Sequence, residues 1–540
     1  MISFCRRMVS ASFISFLVVG DEFHCLLVRI VDDLTHFVVD VACGLGRGQT
    51  AGNDIKMTEK VDVFCLSFCN FACMLCGKGT IKMDFSIYKQ QYKPIVQLGI
   101  PLVIGQIGTI VLSFADTIMI GHHSTPELAA AAFVSQFLNL GILVAMGFAY
   151  GLTPLIGNSY GRGETGRIGQ LVRNGLLANT LIALLLLLVY GTLYFFLDRM
   201  GQPQELIPHM RPYYIVTLLS LPFVCWFNVF KQTADGTTDT RTPMWILLGG
   251  NLLNIVGNWM LIYGHLGFPE LGLMGAGIST LVSRVVMAVV MMCVFFFGRR
   301  YRVMAEAFHR ARLTWRDWLL LNRMGWPLAL QMGMESGAWS LCSIIVGWIG
   351  ASALAGHQVM LSISQLFFQV YYAIAAAVSI RISMFHGRRE LDKIAPTAWA
   401  GFHLCLVTAC LVAMPVWLLR ADIGWLFTDS AEVAQMVAAT VLPLIIYQIP
   451  DGFQCVFSNS LRGLAHVRPL VLVAFLSYFV VSIPLSYVLG IRCHGGLTGV
   501  WMAFPIGLSI AGGLYYFFFH KTMKQQEKAL SMCKKQSKAS

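Results

Sequence analysis

Charge is scarce in this chain. Only 12% of its 540 residues are Asp, Glu, Lys or Arg, against about 25% in a soluble domain. Mean hydropathy is +0.67. A composition this apolar argues against a water-soluble enzyme and for a polytopic membrane protein. A GxxxxGK[ST] phosphate loop is missing, which argues against an ATP-driven pump within this chain. Gathered carboxylates are missing too. The loop acids Glu164, Asp235, Asp239 and Glu390 stand alone, whereas an enzyme acting on lipid phosphates wants acids or histidines clustered at an interfacial loop. The 15 cysteines include a tight group, Cys65, Cys69, Cys73 and Cys76, but no His-rich partner follows it and the stretch is otherwise apolar, which argues against metal binding; the later eight, scattered along apolar runs, read as packing residues. GLGRG at 44–48 is too short and misplaced for a dinucleotide fingerprint.

What the chain does have is long apolar runs. From Tyr92 onward they separate into twelve spans, at roughly 95–120, 128–156, 168–197, 207–233, 243–264, 271–298, 321–348, 355–383, 395–419, 433–458, 468–490 and 497–519. The expected fold is an all-α polytopic membrane protein with twelve transmembrane helices in two pseudo-symmetric six-helix lobes. The expected organisation is an atypical N-terminal extension over 1–82, a first lobe over 83–298, a connecting loop over 299–320, a second lobe over 321–519 and a basic tail over 520–540. Residues 1–82 show no clean caps or periodicity, and Met83 reads as the natural start. The net charge of +12 reflects topology rather than a nucleic-acid partner. With the N-terminus placed in the cytoplasm, inner segments hold 26 Lys and Arg against 4 in outer segments, so both termini are expected to be cytoplasmic.

The two halves repeat. LGIPLVIGQ at Pro101 matches MGWPLALQM at Pro327, 226 residues later, and at that offset Gly161 meets Gly387 and Arg162 meets Arg388. With a drift of two, Pro222 meets Pro450 and Arg241 meets Arg468. Six spans per half is an even number, so the copies insert in the same orientation, as in transporters whose lobes rock about a central cavity.

Three acids lie inside apolar runs: Asp116 in VLSFADTIMIG, Glu335 in QMGMESGAWS and Asp451 in YQIPDGFQCVF. A carboxylate at bilayer depth costs about 2.5–3.5 kcal/mol even on lenient scales, and it usually handles an ion, a proton or a charged substrate. These acids break the repeat: Asp116 meets Cys342, Glu335 meets Thr109 and Asp451 meets Phe223. Near Asp116, Asn254 and Asn258 share one helix face at i, i+4, and Thr280 follows on the next span. Carboxylate, amide and hydroxyl oxygens are hard ligands for a small cation such as Na⁺, and a desolvated Asp can instead carry a proton. Interhelical bonding without transport is the plainer reading of the asparagines. Arg284 is the one intramembrane base available for a salt bridge. His122 and His123 read as solvated, and His357 as a helix-start residue. Gly121, Pro154, Pro222 and Pro450 are positions where helices can bend.

Several patterns together resemble the multidrug and toxic compound extrusion (MATE) family, in its bacterial NorM-like branch. They are FADTIMIGHHSTPELAAAAF, GNSYGRGE, ADGTTDTRTPM, LLNIVGNWMLIYG with PELGLMGAGIST, LAGHQV, and IPDGFQCVFSNSLRGL. The resemblance implies antiport in which Na⁺ or H⁺ enters and small cationic organic compounds leave, with no other cofactor. It makes Asp116, Asn254, Asn258 and Thr280 the first-lobe cation site, and Glu335 and Asp451 the second-lobe acids. Asp116, Glu335 and Asp451 double as substrate contacts. It also implies a monomer in the bacterial inner membrane. The alternative is a lipid-linked oligosaccharide flippase of the same superfamily, which would prefer a basic cavity. A polytopic membrane enzyme is the more distant one.

Overall fold

The structure, a computed structural model, describes residues 85–539 and is helical throughout them apart from short connections. The extension over 1–82, with its cysteine group, lies outside the described residues. The first lobe runs through α1 (Phe85–His123), α2 (Thr125–Ala149), α3 (Leu152–Gly161), α4 (Thr165–Tyr194), α5 (Ile207–Leu219), α6 (Leu221–Gly236), α7 (Arg241–Ile262) and α8 (Gly272–Phe297). A short helix α9 (Arg302–Arg310) leads to the second lobe. That lobe comprises α10 (Trp315–Gly347), α11 (Ala351–Arg388), α12 (Ile394–Leu418), α13 (Ala431–Gly463), α14 (Arg468–Ala474), α15 (Ile483–Tyr487) and α16 (Gly496–Ala539).

Eleven helical stretches among the described residues are long and apolar enough to cross a bilayer. The remaining expected span, α10, has 33 residues, ample length at about 1.5 Å per residue. Its apolar character is diluted by Gln331, Glu335, Ser336, Ser340 and Ser343. A helix of that kind is tolerated in a membrane when its polar face is turned onto protein.

Two expected bend sites are real breaks and two are not. The chain interrupts its helix at Tyr150–Gly151, just ahead of Pro154, and again at Ser220, just ahead of Pro222. Proline suits the first turn of a new helix, where its missing N–H would have been unpaired anyway. Gly121 and Pro450 instead lie inside unbroken helices. The eleventh span is irregular in another way, with π-helical turns over Phe475–Ser482 and Val488–Arg492. The connecting segment is not simply a loop, since it contains α9. The basic terminal residues continue the last helix, since α16 runs to Ala539.

The link between the lobes is fastened to the first. Arg173 donates to the carbonyls of Phe308, His309 and Ala311 (3.3, 3.2 and 2.6 Å), closing the C-terminal end of α9. Arg167 grips Asp317 through both guanidinium nitrogens, one at 2.9 Å. Asp317 also accepts from the Thr314 hydroxyl at 2.7 Å, while Thr314 caps α10. Burial works to raise the Asp317 carboxyl, but these bonds hold it below the ordinary aspartate value.

The lobes touch at the end that carries most of the arginines. There α3 packs on α11 and α2 on α10. A Cβ added to Gly161 would lie 2.2 Å from the Met384 carbonyl oxygen, and one added to Gly387 would lie 2.2 Å from that of Asn158. The two contacts are reciprocal under the sequence repeat. Asn158 Nδ2 also meets His386 Nδ1 at 2.9 Å. Arg462 stacks over Tyr150 at 5.4 Å and Tyr372 at 6.0 Å, joining the lobes through cation–π contacts.

Candidate functional site

The expected first-lobe residues come together. Asp116 on α1 accepts from Asn258 Nδ2 on α7 at 2.6 Å. Asn254 lies one turn earlier on the same face and meets Thr280 Oγ1 of α8 at 3.1 Å. Its amide fits in two orientations. In one, its oxygen accepts from Asn258 at 3.2 Å. Turned over, its nitrogen reaches Asp116 Oδ1 at 3.0 Å and its oxygen accepts from Thr280 N and Oγ1. Asn254 and Asn258 are buried and Asp116 is half-buried. The Asn258 carbonyl oxygen is buried without a partner. An unused acceptor beside a carboxylate is the local chemistry that a cation or a proton donor would satisfy. Helix approach is tight here, with Ser279 Oγ donating to the Asn254 backbone carbonyl at 2.8 Å. Arg284, the base a salt-bridge reading of the acids would need, pairs with none of them. Its guanidinium donates to Ser220 at 2.6 Å, and it acts on Asp116 only through its field.

The second-lobe acids also converge, on partners the sequence reading missed. Glu335 on α10 accepts from Gln331 at 3.0 Å and from Gln454 of α13 at 3.3 Å, both on Oε1. Asp451, one turn before Gln454, is 4% exposed, and its Oδ2 is buried without a partner. Both amide atoms of Gln448 and the Tyr371 hydroxyl are likewise buried and unpaired. Asp451 interacts electrostatically with Glu335 and with Tyr371. Two carboxylates in one apolar lobe repel, and a shared proton or a cation relieves that repulsion. The missed glutamines sit at i−4 from Glu335 and i+3 from Asp451, a spacing that helical periodicity alone makes neighbours.

The repeat is obeyed in geometry and broken in chemistry. Where the first lobe bonds Asp116 to Asn258, the second sets Cys342 against Ser486, at 3.9 Å. Where the second lobe has Asp451 and Gln454, the first has Phe223 and Trp226 in edge contact at 5.3 Å. Thr109, opposite number of Glu335, spends its hydroxyl on the Gly105 carbonyl of its own helix.

Two histidine expectations need correction. His357 is not at a helix start. It is fully buried in α11, accepts from Trp501 Nε1 at 3.1 Å and meets Ser343 Oγ at 3.1 Å. His123 is not merely solvated. It contacts Glu127 at 2.8 Å and Glu270 at 3.1 Å, at the end of the first lobe away from the arginines. Among the described residues no group of three His, Cys, Asp or Glu gathers as for a transition metal. The groups gathered around Asp116 offer carboxylate, amide and hydroxyl oxygens, hard ligands by type.

The protein-family model described as MatE matches residues 101–260 and 327–488. The two stretches begin at Pro101 and Pro327, the pair that defines the sequence repeat. "Probable multidrug resistance protein NorM" of Xylella fastidiosa (strain Temecula1) is 30% identical over 432 residues, covering 80% of this chain and 92% of that protein. "Multidrug resistance protein NorM" of Vibrio cholerae is 29% identical over 431 residues, covering 78% and 94%. Among solved structures, one described as the outward-facing conformation of a multidrug resistance MATE family transporter superposes with a TM-score of 0.75 at 20% identity, over 81% of this chain and 97% of that one. A MATE crystal structure in the bent conformation gives 0.75 at 20% identity, over 82% and 98%. At that identity the likeness is one of fold.

Proposed function

This chain belongs to the MatE family, and from that premise we propose that it is a secondary active multidrug antiporter, exporting small cationic organic compounds in exchange for inward Na⁺ or H⁺. The observation that carries the proposal is the bonding of the three intramembrane acids. Asp116 and Glu335 are held by amides, and Asp451 keeps an unpaired oxygen. Carboxylates serving only structure would be paired with bases; among the described residues none of these three is in ion-pair contact with one, which leaves each able to take up a proton or a cation that comes and goes. The names of the relatives support drugs as the cargo.

In this reading the arginine-rich end faces the cytoplasm, following the Lys and Arg bias. The clasp there closes the inner side, so the acids load from outside. Asp116 with Asn254, Asn258 and Thr280 takes the coupling cation or proton. Glu335 and Asp451 form a second acidic site that cationic cargo or a proton neutralises. Binding shifts the balance between inward- and outward-open arrangements only by its differential affinity for the two. A carboxylate that both the coupling ion and the cationic cargo can neutralise is contested by the two, and competition at a shared acid is what exchange requires. The protein works as a monomer, multi-pass in the bacterial inner membrane.

The test is flux of a fluorescent organic cation in proteoliposomes under Na⁺ and H⁺ gradients imposed separately. Dye movement against its own gradient under one of them is expected. Asp116→Asn should lose that coupling while inserting normally. Dye movement under neither gradient, with the protein inserted, contradicts the proposal.

A further inference from the structure

Between the lobes at the arginine-rich end lies a cavity of about 440 Å³. Its walls are Pro94 and Gln97 of α1, the turn leading into Arg241, Arg300 after α8, and Arg381 of α11. Three guanidiniums therefore meet one space, one from the first lobe, one from the connecting segment and one from the second lobe. The only carboxylate lining it, Asp239, is already engaged. It accepts from Tyr301 Oη at 2.8 Å, Thr242 N at 3.2 Å and Thr242 Oγ1 at 2.8 Å, with Arg300 Nε at 4.0 Å. Arg300 also donates to the Thr237 carbonyl at 2.9 Å.

The arginines retain capacity. Arg381 gives one terminal nitrogen to Gln91 at 2.6 Å, but its Nε is buried without a partner. Arg241 is exposed and opens α7, a helix of 22 residues. The positive end of that helix dipole adds to the three full charges. Thr238, in the cavity wall, sits at φ +62°, a strained setting for a β-branched residue that fixes the turn before Arg241. One turn into α7, Trp245 is 68% exposed, as tryptophans are at the headgroup level of a membrane.

We propose that this cavity binds a phosphate-bearing anion, either the headgroup of an acidic phospholipid or free inorganic phosphate, through Arg241, Arg300 and Arg381. Guanidinium forks match phosphate oxygens in pairs, so three of them converging on one volume form a phosphate site rather than a diffuse positive surface. The ligand bridges the lobes. The complete site exists only while the arginine-rich ends are together, so occupancy favours that arrangement.

The test uses the full chain purified in detergent, with binding read by native mass spectrometry. Probes are phosphatidylglycerol, phosphatidylcholine and inorganic phosphate. Phosphatidylglycerol should bind, and the variant Arg241→Gln/Arg300→Gln should weaken it roughly tenfold or more. Phosphatidylcholine should bind weakly and equally to both. If inorganic phosphate alone shows variant-sensitive binding, the site stands and its ligand is the soluble ion. A control variant, Arg310→Gln/Arg312→Gln, removes exposed arginines outside the cavity wall and should change nothing. Loss of equal size in the control, or equal binding of both phosphate probes by wild type and the cavity variant, overturns the proposal. Both cavity substitutions are at exposed side chains; Arg300→Gln also gives up the bond to the Thr237 carbonyl, and a monodisperse elution profile checks that folding is preserved.

Discussion

Asp116 is an acid inside an apolar run, held by the Asn258 amide at 2.6 Å, and its burial carries a free-energy signature that few neighbours can hide. Asn254 and Asn258 were legible through their i, i+4 spacing. Gln331, Gln454, Gln448 and Tyr371 were not. A neutral amide or phenol in a membrane helix costs far less than a carboxylate, so nothing in the local string marks it, and only the fold shows which acid it serves. Asn258 offers a sharp test because it touches Asp116 without carrying charge. Asn258→Ala removes the 2.6 Å bond and the unpaired carbonyl oxygen. Losing a hydrogen bond to a charged group costs about 1.5–3 kcal/mol. The half-saturating concentration of the coupling ion should rise at least tenfold, while the maximal rate of dye flux changes little. A fall in maximal rate at unchanged half-saturation would assign Asn258 to packing instead.

Helices and their connections carry information that hydropathy does not. Proline positions were readable, yet Pro222 follows a break whereas its repeat partner Pro450 lies in a continuous helix. The same residue type is a first-turn residue in one copy and an interior one in the other, and the packing around each decides. The reciprocal glycine contact predicts the effect of a single methyl group. Gly387→Ala places a carbon against the Asn158 carbonyl only while α3 and α11 are clasped. Overpacking of that kind costs about 1–3 kcal/mol, so the population should move toward separated ends. Spin labels across the arginine-rich end, read by double electron–electron resonance, should report longer distances, and an unchanged distribution would contradict this. The entry into α10 gives a pH prediction. The Asp317 carboxyl is depressed in the folded protein, so its stabilisation is full above the unfolded aspartate value of about 3.9 and fades as pH falls through the lower folded value. Asp317→Asn should lower the thermal midpoint at neutral pH, by an effect of roughly 1.5–3 kcal/mol. That difference should narrow as the pH drops below about 4; a difference independent of pH would show that the carboxylate charge is not involved.

At the scale of the molecule, the two-lobe plan was readable because a repeat in sequence survives as a repeat in fold. Pro101 and Pro327, Gly161 and Gly387 mark it in the sequence itself. The contacts made between the copies were hidden, since no string position announces what it faces across an interface. The cavity with its three arginines was hidden for the same reason: Arg241, Arg300 and Arg381 lie on three different segments. The reciprocal contact of Gly161 and Gly387 has one more consequence. It is what a twofold dimer of identical subunits would show, where each residue meets the image of its partner and every substitution is made twice. Joining the copies in one chain removes that constraint. One half can change a residue while the other keeps it, so the mating surface stays self-complementary while Asp116 and Asp451 each occupy only one side. A protein made of two separate, identical halves would be obliged to carry both acids twice, and its two lobes could never divide their labour.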